Sequence, residues 1–102
     1  MNLTETFQAI KEERLDRTAL EKYEQELSAV YADMMVEIGR LKKARALYFY
    51  SMEQEHPELP DIKIRRVWDA TDDGMKLIQY ENEVKAVAKM LSSIKSRIYQ
   101  TY

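Results

Sequence analysis

The chain has 102 residues, of which 45% are hydrophobic and 33% charged, with a net charge of -2, a single histidine and no cysteine. This length suits one domain with a thin core, and the composition excludes a disordered tail and a membrane-embedded protein. The lack of cysteine excludes disulfides and thiolate metal sites. Two glycines and two prolines are too few for the repeated tight turns of an all-β fold. The opening MNLTETFQAIKEE has acids where a secretion signal needs a basic start and an apolar middle. The expected compartment is therefore the cytoplasm, with no membrane partner.

Taken in order, Leu3, Phe7 and Ile10 have helical spacing and predict a short helix over residues 3–14. From Leu20 the apolar positions recur as Tyr23, Leu27, Val30, Met34, Ile38, Leu41, Tyr48 and Met52, in steps of three, four or their sum. They predict one long helix over 18–54, with Thr18 and Glu21 as a capping box. Gly39, in the middle of that helix, points either to a close backbone approach or to a tolerated defect. The HPELP stretch forces an exit and opens a linker over 55–68. Leu77, Tyr80, Val84, Val87, Leu91, Ile94 and Ile98 alternate threes and fours as a coiled-coil seam does. They predict a second long helix over 69–100, capped by Asp69 or Thr71, with Asp72 and Asp73 complementing the helix dipole.

The fold class that follows is all-α: a long antiparallel helical hairpin with a short N-terminal helix. Two helices cannot enclose a core, so either the N-terminal helix supplies a third wall or several chains pack together. Homo-oligomerisation is the favoured expectation. The methionines at 34, 35, 52, 75 and 90 read as seam filling.

Charge is segregated along the chain. Residues 1–37 carry nine acids against four bases, residues 38–52 hold Arg40, Lys42, Lys43 and Arg45 with no acid, and residues 62–68 hold Lys63, Arg65 and Arg66. In a hairpin the last two blocks converge beside Tyr48, Phe49, Tyr50 and Trp68. Consecutive helical residues point in different directions, so at least one of the three aromatics at 48–50 must leave the seam. Basic groups interleaved with aromatic faces are the equipment of single-stranded nucleic-acid binding. The candidate nucleic-acid-binding set is Arg40, Lys42, Lys43, Arg45, Tyr48, Tyr50, Lys63, Arg65 and Arg66, while Trp68 reads as a core staple. Bases near a helix C-terminus also suit its dipole, so a solvated face and a surface for an acidic protein stay open for Arg40, Lys42, Lys43 and Arg45. That dipole does not account for Lys63, Arg65 and Arg66.

Enzymatic chemistry finds little support. His56 sits in the proline-flanked linker, there is no thiol nucleophile, and neither a P-loop nor a dinucleotide fingerprint is present. Glu53, Glu55, Asp69, Asp72 and Asp73 do not have the spacing of a calcium loop. No catalytic residue, metal or cofactor is expected.

The segments KKARALYFYS and YENEVKAVAKMLSSIKSRIYQ resemble the UvsY-type recombination mediators of T-even-like phages. The likeness is carried by Lys43, Ala44 and Arg45, then Tyr48 and Tyr50, then Ile94, Lys95, Ser96 and Arg97. It implies a ring-forming helical protein, in the host cytoplasm if phage-encoded. Such a protein binds single-stranded DNA through Lys43 and Arg45 and assists a recombinase. The alternative function is a small helical interaction module, an inhibitor or assembly adaptor, that docks on a protein partner.

Overall fold

A computed structural model describes residues 3–12 and 16–100, and among these the chain is all-α. Four helices follow one another: α1 (Leu3–Glu12), α2 (Arg17–Glu55), α3 (Asp61–Asp69) and α4 (Asp72–Gln100). The two long helices are the arms of the expected hairpin. Residues 13 and 14 of the expected short helix lie outside the described residues. The linker expected over 55–68 is not wholly irregular, because its second half forms α3. Pro60, at φ -65° and ψ 147°, stands at the N-cap of α3, where the ring fixes a geometry compatible with helix initiation. Its carbonyl accepts from the Lys63 and Ile64 amides at 3.0 and 3.3 Å.

The start of α2 also differs from expectation. Asp16, not Thr18, accepts from the Ala19 amide, through Oδ1 at 2.8 Å, the bond an N-cap side chain makes. Glu21 instead pairs with Arg17 at 3.0 Å, an exposed contact one turn apart. Thr71 caps α4, its hydroxyl accepting from the Gly74 amide at 3.0 Å.

The chain divides into two compact units. The first contains α1, α2 up to Ala32 and α4 from Lys85. Its core is Ile10, Leu20, Leu27, Val87, Leu91, Ile94 and Ile98, all buried. Glu21 and Ile98 line one hollow while Ser28 and Leu91 line another, so the two long helices run antiparallel here. The third wall is α1, packed within the same chain. It is tied by the Arg97 guanidinium, which donates to the Ile10 carbonyl at 2.6 Å. A charged donor on a backbone acceptor is among the stronger hydrogen bonds.

The second unit is Asp33–Val84. Ile38, Leu41 and Leu77 form its central cluster, with Tyr80 and Val84 packed against it. From α3, Ile64 and Trp68 are buried; they are four residues apart and therefore on one helical face. Every seam position read from the sequence in α2 and α4 is buried or half-buried. The methionine reading needs correction, since Met35 and Met75 are exposed.

Gly74 is the glycine at which backbone approaches closely. A Cβ there would lie 1.9 Å from the Trp68 carbonyl oxygen, so only glycine lets α4 start against the end of α3. Thr71 braces the same corner, its hydroxyl donating to the Trp68 carbonyl at 2.6 Å. At Gly39 a Cβ would meet nothing within 4 Å, which removes a close approach within the chain as its explanation. Among the described residues no helix is long and apolar enough to cross a membrane.

Candidate nucleic-acid interface

The candidate residues all fall in the second unit, on α2 and α3. The run Tyr48, Phe49, Tyr50 separates as helical geometry demands. Tyr48 turns inward, half-buried, its ring 5.5 Å from that of Trp68 and tilted by 44°. Trp68 is only 4% exposed and so acts as the core staple. Tyr50 points away and is 64% exposed. Phe49 takes the third direction, half-buried, with its ring centroid 6.3 Å from Tyr48.

That third direction is where the two basic blocks meet. Arg45, Ala46 and Phe49 of α2 line one hollow with Arg65 of α3. Positions 45 and 46 flank the face of Phe49 because they lie four and three residues before it in α2. Arg65 reaches the same place because Ile64 and Trp68, on the neighbouring face of α3, are anchored in the core. One arginine from each of two helices therefore lines the same hollow as Phe49.

The other cations differ in what they can offer. Arg40 is occupied: its Nε and Nη2 donate to Glu37 Oε1 at 3.0 and 2.5 Å. This hydrogen bond holds the Glu37 carboxyl below its ordinary value of 4.5 and raises the guanidinium of Arg40. Among the described residues, none of Lys42, Lys43, Arg45, Lys63, Arg65 and Arg66 forms an ion pair. Lys42, Lys43, Lys63, Arg65 and Arg66 are exposed and Arg45 is half-buried. These six cations spread over different faces of α2 and α3, since residues two apart on a helix point to nearly opposite sides, and only Arg45 and Arg65 line the hollow.

Sequence reasoning passed over Phe49 as a contact residue. Its position between an inward tyrosine and an outward one was the available signal. The IKSR element is structural in two of its positions, since Ile94 is fully buried and Arg97 holds α1.

Other chemistry is sparse. His56 is exposed in the turn after α2, with its Nδ1 3.4 Å from Glu58. Among the described residues no group of three or more histidines or acids is placed to hold a metal ion. No protein-family model, curated protein or solved structure matches the chain.

Proposed function

We propose that this protein is a non-enzymatic, single-stranded-DNA-binding accessory protein of the recombination-mediator kind, working in the cytoplasm and gripping the strand with the α2 and α3 surface of its second unit. The observation that carries this reading is the convergence of Arg45 and Arg65, neither of them ion-paired among the described residues, on one hollow with Phe49. Lys42 shares the face of Arg45 and Ala46 at helical spacing, and Lys43, Lys63 and Arg66 add positive charge on other faces of the same two helices. A phosphate chain needs such unpaired cations, and contacts of this type read no base sequence. The resemblance in the Lys43, Ala44, Arg45 segment favours a mediator role, with a recombinase as the further partner. Tyr48, engaged with Trp68, supports the site from behind, and Arg40, held by Glu37, contributes least.

The test is a fluorescence-anisotropy titration of a labelled single-stranded oligonucleotide at low and moderate salt, comparing wild type with Lys43→Ala/Arg45→Ala. Salt-sensitive binding that the double variant loses is the expected result. No binding at micromolar protein and low salt would end this reading and leave a helical module that docks on another protein.

Self-association is the second reading, and one observation favours it. Met35, Val36, Leu47, Tyr50, Ile62, Val67, Met75 and Ile78 of the second unit are all exposed, an apolar load that association of copies would cover.

A further inference from the structure

Building on the strand-binding reading, we infer that the hollow between Arg45, Ala46, Phe49 and Arg65 holds one unpaired nucleotide of the bound strand, its phosphate between the two guanidiniums and its base against the Phe49 ring. The interface therefore recognises exposed base faces as well as charge.

Three observations lead to this assignment. The first is size: the hollow measures about 400 Å³, near the lower end of the ~300–1,000 Å³ that small organic groups occupy in proteins. One nucleotide is of that scale, whereas a duplex is not. The second is chemistry: a guanidinium offers a planar fork of donors that matches phosphate oxygens, and here two arginines line a hollow with a phenylalanine and no acid. Ala46 keeps the wall low where a larger side chain would fill the space.

The third is the fate of the other aromatics. Trp68 is buried and Tyr48 is half-buried with its ring tilted against it, so both are engaged with the core. Tyr50 is exposed but lies outside the hollow. Phe49 alone among the four is placed beside the arginines. A base stacks on such a ring whatever its identity, because every base has a π-face. In a duplex those faces are already covered by neighbouring pairs. The hollow therefore favours unpaired strands, and it does so without sequence preference.

The experiment uses the whole chain and three labelled ligands of equal length: a thymidine homopolymer, an abasic strand with the same phosphodiester backbone, and a duplex. The abasic strand is expected to bind at least about fivefold more weakly than the homopolymer, and the duplex more weakly as well. Phe49→Leu, which keeps an apolar side chain and removes the ring, should close most of the gap between homopolymer and abasic strand. The helical circular dichroism of that variant must match wild type. Tyr50→Leu should leave the gap intact.

Equal, salt-sensitive binding of homopolymer and abasic strand would overturn the inference and leave a surface that reads phosphates alone. Closure of the gap by Tyr50→Leu and not by Phe49→Leu would overturn the placement at the hollow. Failure of all three ligands to bind would sink the strand-binding reading itself.

Discussion

The two units share the same long helices, and each has one short helix laid against them, yet they use that helix differently. In the first, α1 contributes Ile10 to a core of seven buried large hydrophobics, and only Tyr31 and Tyr99 stand exposed among the large apolar residues described. In the second, α3 contributes Ile64 and Trp68 to a core of five, while eight large apolar side chains stay exposed. The first unit closes its core. The second places Lys63, Arg65 and Arg66 beside the basic stretch of α2 and leaves apolar surface uncovered. A closed core and an open, charged surface thus occur along the same two helices.

The largest expected effect lies in the closed unit. Ile94 is fully buried, so Ile94→Ala should lower unfolding free energy by about 2–5 kcal/mol in urea denaturation. Leu47, 60% exposed in the second unit, should change stability by no more than ~0.5 kcal/mol when replaced by alanine in dilute protein. A Leu47→Ala loss that grows with protein concentration would sharpen the comparison, showing that a second copy covers that face. Sedimentation velocity would then show a larger species in wild type than in the variant.

A smaller effect belongs to the tether of α1. Arg97→Met removes the bond to the Ile10 carbonyl and should cost about 1.5–3 kcal/mol. Amide exchange over Leu3–Glu12 should speed up, while Asp33–Val84 keeps its protection. Equal acceleration in both units would break the division drawn between them.

The smallest effect is at Glu37. Its carboxyl is held below 4.5 chiefly by the hydrogen bond from Arg40, so folding favours the ionised form. That contribution is present above the ordinary carboxylate value and is lost as pH falls through the lowered one. Arg40 is exposed and Glu37 only half-buried, so solvent screening keeps the contribution slight. In Arg40→Ala, the Glu37 carboxyl resonance should titrate closer to 4.5 than in wild type.

Much of the fold was legible because hydrophobic periodicity reports the side of a helix that must leave water. The steps of three and four from Leu20 to Met52 and from Leu77 to Ile98 mark residues that are all buried or half-buried. What escaped was short or set by tertiary contact. Helix α3 spans nine residues and has only Ile64 with Val67 and Trp68 at helical spacing, too little pattern to outweigh the neighbouring prolines and acids. The cap of α2 escaped because Asp16 and Thr18 both offer a side-chain oxygen acceptor within three residues and spacing alone did not choose between them. The tight glycine was Gly74, not Gly39, because its need arises from the Trp68 carbonyl, a partner invisible until α3 exists.

The site follows the same logic. Its cations were legible as charge blocks, but the convergence of Arg45 and Arg65 depends on α3 being a helix, and the part played by Phe49 depends on Tyr48 turning inward. Charge shows in composition, whereas a hollow needs the packing that surrounds it.

The central claim is that two arginines on different helices hold the same stretch of strand, and a double-mutant cycle with Arg45→Ala, Arg65→Ala and the combined variant tests it most directly. Single-stranded DNA affinities are measured at one fixed low salt concentration. Each single change is expected to weaken binding, and the double change to cost less than the two losses combined, with a coupling of about 0.5–3 kcal/mol. Strictly additive losses, or no loss from Arg65→Ala, would contradict the central claim.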